Sequence, residues 1–226
     1  MDQKLLVGGI VSLTTVDYPG HLAAVIFLQG CTWRCKYCHN QHLQSILPKE
    51  SLPWEDILNL LSSRKGLLEA VVFSGGEPLL QDALGDAIAD VKKMGFKVGL
   101  HTAGAFPNKL ARIVSSLDWV GFDVKHSFKD YDKIVSVSNQ GDLARKSLEI
   151  LIASNVDFEV RMTLHESIEI SSIVEVLKEI SSMGVKHVVL QKCRDKNEKV
   201  VEHPIFSDKL LLEDLSKYFD SLSVRG

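Results

Sequence analysis

Six times along this chain a short, mainly apolar run gives way to a stretch with helical periodicity. The runs are residues 23–29, Ala70–Phe73, Lys97–Leu100, Trp119–Phe122, Phe158–Met162 and Val188–Leu190. Pro53 opens the first helix, with Ile57, Leu58 and Leu61 on one face, and Asp82–Met94 carries Leu84, Ala87, Ile88 and Val91 ahead of Gly95. Pro107 starts a third helix, with Leu110, Ile113 and Val114. Residues 142–153 form a fourth with Leu148, Leu151 and Ile152 inward, and Ile173, Val176, Leu177 and Ile180 mark a fifth, closed by Gly184. Leu211, Leu212, Leu215 and Phe219 give the last. Strands this short and apolar are buried on both faces, which requires a parallel sheet with helices outside. Six units are fewer than the eight of a closed barrel. The expected fold is α/β, a curved and partly open (β/α)6 barrel; a doubly wound open sheet is the alternative.

Nothing in the chain marks a second domain. Residues 1–226 are expected to form one unit, with a β lead-in over 1–22 and a C-terminal loop and helix over 192–226. Lys192–His203 is the one long charged stretch and reads as a solvated loop. A hydrophobic content of 45% with 24% charged residues suits an ordinary water-soluble protein. The net charge of −3 gives no electrostatic case for nucleic acid. No apolar stretch approaches the ~20 residues of a membrane-spanning helix, and the N-terminus lacks the pattern of a signal peptide. The expected location is the cytoplasm.

Three of the four cysteines, Cys31, Cys35 and Cys38, stand in the spacing C-x3-C-x2-C just after the first apolar run. Three crowded thiols suit a reducing compartment and a metal better than a disulfide framework. A 4Fe–4S cluster held by three cysteines keeps one iron open, whereas electron-transfer clusters take four. An open iron implies a ligand that is also a reactant, much as a catalytic zinc keeps one position free. The competing reading is a non-catalytic zinc module with His39 completing a Cys3His set, although adjacent Cys38 and His39 would be strained as ligands of one tetrahedral ion.

Ligands of parallel α/β folds collect beyond the C-terminal ends of the strands. Those ends carry the cysteines, then Ser74-Gly75-Gly76-Glu77-Pro78, His101-Thr102-Ala103-Gly104, Asp123-Val124-Lys125-His126, Arg161-Met162-Thr163 and Gln191-Lys192-Cys193. Gly75 and Gly76 alone would be a tight turn, but Glu77 followed by proline is placed to hold a ligand's ammonium. Asp123 and Lys125 are either a surface ion pair or, two apart on a strand, a pair facing the mouth. Arg161 is suited to a carboxylate. His101 reads at least as well as a satisfied core or rim histidine as it does as a ligand, His21, His42 and His126 carry no constellation, and Cys193 reads as an isolated, unreactive thiol.

These residues resemble the radical S-adenosylmethionine superfamily. C-x3-C-x-Φ-C with Tyr37 before the third cysteine, and Gly75-Gly76-Glu77-Pro78, carry the resemblance. Thr15-Val16-Asp17-Tyr18-Pro19-Gly20, Phe27-Leu28-Gln29-Gly30-Cys31 and Cys38-His39-Asn40 narrow it to glycyl-radical-enzyme activases, closest to those of anaerobic ribonucleoside-triphosphate reductase and next to pyruvate formate-lyase activase. It covers roughly residues 6–191 and implies Cys31, Cys35 and Cys38 on one 4Fe–4S cluster, with S-adenosyl-L-methionine chelating the open iron. It further implies adenine contacts around Tyr37, Cys38 and His39, and a methionine amino group held by Gly75, Gly76 and Glu77. Asp123, Val124 and Lys125 would touch the cofactor, Arg161 would face its carboxylate, and Gln191 would make a further contact. His101 stands where the pyruvate formate-lyase relative has an aspartate at a cation-binding position, which puts that ion in doubt. The implied partners are a glycyl radical enzyme and a reduced flavodoxin or ferredoxin. The implied chemistry is reductive cleavage to a 5′-deoxyadenosyl radical that takes hydrogen from a glycine, needing no acid–base pair; the alternative within the superfamily is an enzyme that acts on a small molecule or modifies another protein or RNA.

Overall fold

The first apolar run is a strand whose two faces are buried against different things, and that double burial sets the architecture. The computed structural model describes residues 4–47, 50–195 and 199–226. In chain order the main elements are β1 (Val7–Thr14), β2 (Ala23–Leu28), α1 (Trp54–Ser63), β3 (Ala70–Gly75), α2 (Leu84–Lys93), β4 (Lys97–Thr102), α3 (Pro107–Ile113) and β5 (Trp119–Asp123). There follow α4 (Asp132–Val135), α5 (Gln140–Ile152), β6 (Asp157–Leu164), α6 (Ile170–Met183), β7 (His187–Arg194), β8 (Val200–Val201), α7 (Lys209–Ser216) and β9 (Ser221–Arg225).

All described strands join one sheet. β2 to β7 pair in sequence order and in parallel, β1 lies antiparallel on β2, and β9 lies parallel on β7. β1 and β9 do not pair with each other, so the curved sheet stays an open, partial barrel. Alternation divides each strand between two cores. Ala24, Ile26, Leu28, Val71 and Phe73 pack with the helices in the larger one. Ala23, Val25, Ala70, Val72 and Trp119 close the concave side together with Tyr18. The helices bury the faces their periodicity announces: α2 inserts Leu84, Ala87, Ile88 and Val91, and α6 inserts Ile173, Val176, Leu177 and Ile180. Each buried Leu, Ile or Val contributes roughly 1.5–3 kcal/mol, which anchors the strand ends that carry the polar residues.

Two features differ from the sequence expectation. The last helix stops at Ser216, leaving Phe219 outside it, and the chain continues into β9, a seventh parallel strand. β9 is only partly buried and alternates without a run of apolar residues, so it carries little hydrophobic signal. Its Arg225 makes a two-pronged ion pair with the buried Glu159 of β6, at 2.8 and 3.1 Å. The charged stretch from Lys192 is not wholly a loop, since β7 runs to Arg194 and pairs with β8; its residues 196–198 lie outside the described ones.

Candidate active site

The cysteine loop is held by backbone hydrogen bonds to two separate parts of the fold. The Gly30 and Cys31 N–H groups donate to the carbonyls of Leu43 and Gln44, closing the loop on itself. The N–H groups of Arg34 and Lys36 donate to Val135 and Ile134 of α4. From behind, the buried Gln29 amide donates to the His42 and Ser45 carbonyls, both at 3.0 Å. Trp33 is buried, stacks edge-on against Tyr131 and donates from Nε1 to Gln140 Oε1 at 2.7 Å. Tyr131 in turn accepts from the Lys125 N–H and donates to the Asp123 carbonyl. One aromatic pair thus ties the cysteines to the end of β5.

Gly75 and Gly76 are required by closeness to the cysteine loop as well as by conformation. Gly75 has φ +119°, and a Cβ there would overlap the Leu28 backbone. A Cβ on Gly76 would overlap the Gly30 carbonyl. The Gly76 and Glu77 N–H groups donate to the Leu28 and Gly30 carbonyls, both at 2.9 Å, so the two motifs are joined through their main chains. The Glu77 carboxylate is buried and accepts from Leu79 N–H (3.1 Å), Thr102 Oγ1 (2.6 Å) and Ala103 N–H (3.0 Å). Burial pushes its carboxyl up, against these three hydrogen bonds. Among the described residues it forms no ion pair.

The next strand ends supply the opposite charge. Asp123 is flanked by Arg161 Nε at 2.8 Å and Lys125 Nζ at 3.0 Å. Burial alone would raise its carboxyl; the two cations outweigh that and hold it below the ordinary range. Lys125 is itself held charged, because Asp123 outweighs the effect of burial. Two cations around one carboxylate leave a positive charge uncompensated. The guanidinium of Arg161 lies across Gly121, where any side chain would collide with it.

Cys31, Cys35, Tyr37, Cys38, His39, Gly75, Gly76, Glu77, Asp123, Lys125 and Arg161 all line one cavity. Val124 does not, its side chain being fully buried in the outer core. Gln191 is not among the lining residues either; it accepts from Thr163 Oγ1 at 3.3 Å. His101 lines the cavity as well; it is a buried histidine that bonds the Asp17 carbonyl at 2.8 Å, and burial pushes it down to about 3, so its ring is neutral. Cys193 is buried and its thiol is raised by burial, as an unreactive cysteine's would be. Sequence reasoning placed Thr102 and Ala103 at the mouth as the third strand end but missed Tyr131 and Gln140, which stand just before α4 and at the start of α5 without any motif.

The donor set suits a cluster. Burial pushes the Cys31 thiol up to about 12 and raises Cys35 as well, so iron would displace protons on binding. Among the described residues no three His, Cys, Asp or Glu side chains are grouped closely enough to hold a single metal ion. The buried Tyr37 hydroxyl, stacked on His165, has no hydrogen-bond partner among the described residues and lines the same cavity.

Residues 25–180 match the family model of the Radical SAM superfamily. A protein of Methanocaldococcus jannaschii, provisionally assigned as a glycyl-radical enzyme activating enzyme, is 31% identical over 235 residues, spanning 98% of this chain and 96% of its own length. The pyruvate formate-lyase-activating enzyme of Clostridium pasteurianum is 35% identical over 132 residues, and the match spans 56% of this chain and 55% of that relative. Among solved structures, Streptococcus suis SuiB bound to S-adenosylmethionine superposes with a TM-score of 0.68 at 12% identity, over 88% of this chain and 48% of SuiB. Escherichia coli QueE gives 0.51 at 19% identity, over 83% of this chain and 84% of QueE. At these identities the structural likenesses speak for the fold.

Proposed function

The chain belongs to the radical S-adenosylmethionine superfamily and, within it, to the glycyl-radical-enzyme activating enzymes, and from that premise we propose that it installs a glycyl radical on anaerobic ribonucleoside-triphosphate reductase. A pyruvate formate-lyase-type partner is the second reading, favoured by the shorter match to the Clostridium pasteurianum enzyme. Residues 1–226 act as one unit in the cytoplasm, and a reduced flavodoxin or ferredoxin supplies the electron.

The observation that carries the proposal is the charge pattern of the cavity. One wall holds the Glu77 carboxylate without a cation, and another holds two cations on one Asp123 carboxylate, beside three thiols. A free amino acid end, with one ammonium and one carboxylate, matches both walls at once. Cys31, Cys35 and Cys38 hold the 4Fe–4S cluster. Gly75, Gly76 and Glu77 receive the ammonium of S-adenosyl-L-methionine, and Arg161 and Lys125 its carboxylate, with Asp123 and Val124 positioning them. Tyr37, Cys38 and His39 border the adenine, and Gln191 lies next along the barrel. When bound, cluster and cofactor supply a 5′-deoxyadenosyl radical by one-electron reductive cleavage.

The protein's own task is placement. A buried Glu77 without a cation is costly, so the arriving ammonium both relieves that cost and fixes where the ligand sits. Trp33, Tyr131 and the Asp123 carbonyl lock the cysteine loop to the cation pair, which keeps the two ends of the ligand in register. Abstraction of a hydrogen atom needs no nucleophile–base pair.

The test is anaerobic incubation of the reconstituted protein with reductant, S-adenosyl-L-methionine and each candidate partner. Expected are 5′-deoxyadenosine and a glycyl doublet by electron paramagnetic resonance on the reductase. A cluster-loaded, reduced sample that makes no 5′-deoxyadenosine defeats the proposal, and a colourless protein carrying zinc would favour the binding-module reading.

A further inference from the structure

The strand β9 carries one charged side chain, Arg225, and turns it into the barrel. Leu222 of β9 and Phe158, Val160 and Met162 of β6 pack in or against the larger core. Alternation therefore puts Arg225, Glu159 and Arg161 together on the concave side.

Register brings Arg225 to the cofactor site. On β5 and β6 Asp123 stands opposite Arg161 and Gly121 opposite Glu159, while His101 of β4 stands opposite Gly121. Because residue 121 has no side chain, the Arg161 guanidinium leans back over it, out of its own row and into that of Glu159. Arg225 comes from the other direction. It is in register with Gln191, which faces Thr163, two residues beyond Arg161. Its two-pronged bridge down to Glu159, at 2.8 and 3.1 Å, therefore runs past the row of Arg161. Both guanidiniums act on one ring: His101, lowered chiefly by burial, is lowered further by Arg161 and by Arg225.

Inside the barrel the charges thus alternate in sign: Lys125, Asp123, Arg161, Glu159, Arg225. Lys125 and Asp123 are 3.0 Å apart, Asp123 and Arg161 2.8 Å, and Glu159 and Arg225 2.8 Å. The link between Arg161 and Glu159 is not made, and among the described residues Arg161 pairs with Asp123 alone. We propose that Arg225 is a positioning residue for the cofactor site: by saturating Glu159 it leaves the Arg161 guanidinium to Asp123 and to a ligand's carboxylate. Without Arg225, Glu159 is a buried carboxylate lacking a cation, with Arg161 leaning into its row. It then draws Arg161 away from the mouth, and its uncompensated charge repels an incoming carboxylate. The inference rests on the reading that Arg161 receives the carboxylate of S-adenosyl-L-methionine.

Two measurements test it. Equilibrium dialysis on the oxidised, cluster-loaded protein gives the affinity for S-adenosyl-L-methionine. Arg225→Met should weaken binding about ten-fold or more, and Arg225→Lys, which keeps the charge, by less. Adding Glu159→Gln to the Arg225→Met chain should restore affinity to within about three-fold, because the carboxylate that captured Arg161 is gone. A merely structural role for β9 gives a loss that the second substitution does not restore, and that result overturns the proposal. Unchanged affinity in Arg225→Met overturns it too. The second measurement, urea unfolding of the unloaded protein, needs no cofactor. Arg161→Met should shift the unfolding equilibrium about ten-fold more in the Arg225→Met chain than in the wild type, since Arg161 there serves two carboxylates. Effects that add to within about two-fold would show that Arg225 has no hold on Arg161. A wild type that does not bind S-adenosyl-L-methionine sinks the reading beneath, while the urea comparison still decides whether Arg225 keeps Arg161 in place.

Discussion

Arg161 Nε stands 2.8 Å from Asp123 Oδ1, and the guanidinium can lie there because residue 121 is glycine. The pair belongs to adjacent parallel strands in register, Asp123 opposite Arg161. Removing one member would strand the other, a change that costs about 3–5 kcal/mol for a buried pair. Lys125 softens the loss of Arg161 but nothing replaces Asp123 between two cations. Arg161→Met should therefore destabilise the chain by about 3 kcal/mol, and Asp123→Leu by more, as read from urea unfolding midpoints. Equal, sub-kilocalorie effects would mean that the pair is solvated.

Glu77→Gln separates fold from ligand. The amide keeps one acceptor for Leu79 or Ala103 and removes a buried charge that has no cation. Folding stability should fall by about 1–3 kcal/mol at most, because the new NH2 faces a donor the carboxylate had accepted, partly offset by removal of an unpaired buried charge. Binding of S-adenosyl-L-methionine should weaken by at least about ten-fold, as a charge-assisted hydrogen bond is lost. Equilibrium dialysis against the cofactor gives the comparison, and unaltered binding would remove Glu77 from the ammonium site.

Histidine 101 sets an acid limit on stability. Its folded value is pushed down to about 3 by burial, well below the unfolded value of about 6.5. Above that unfolded value neither state is protonated and the residue adds no pH dependence. As pH falls below it, the unfolded chain takes the proton first and stability drops, by at most about 1.4 kcal/mol per pH unit, until the folded value is reached. His126, also lowered by burial, acts with the same sign. Urea unfolding at pH 7.5 and pH 5.0 should show a smaller acid loss in His101→Gln than in the wild type. An identical loss would show that His101 is protonated in the fold.

Gly76→Ala probes the joint between the two motifs. Its methyl group would overlap the Gly30 carbonyl, which is backbone and cannot rotate away. We expect a loss of about 1–3 kcal/mol, the usual range for overpacking, with reduced iron per chain after reconstitution. A variant with full iron content and unchanged stability would show that the loops are free to separate.

Much of this was legible beforehand for a definite reason. Strands buried on both faces announce themselves as apolar runs, and their ends follow automatically, which is why Glu77, Asp123, Lys125 and Arg161 could be placed at one mouth. β9 escaped because an edge strand buries little, and its anchor is the Arg225–Glu159 ion pair. Tyr131 and Gln140 escaped because their role is a contact across the fold, and no local spacing encodes a partner that distant. Val124 and Gln191 also follow strands, but only the resemblance implied a cofactor contact for them; their side chains stand outside the cavity lining.

The cysteine loop takes its shape from main-chain bonds at Gly30, Cys31, Arg34 and Lys36, and none of the four uses a sulfur. A loop shaped by its main chain should fold before any inorganic part arrives, the thiols closing on it afterwards. A zinc finger runs the other way, with metal driving the fold. Stripping iron from this protein with a chelator should bleach it and leave its unfolding cooperative, so the bleached chain can be refilled, unlike a domain whose skeleton is the metal.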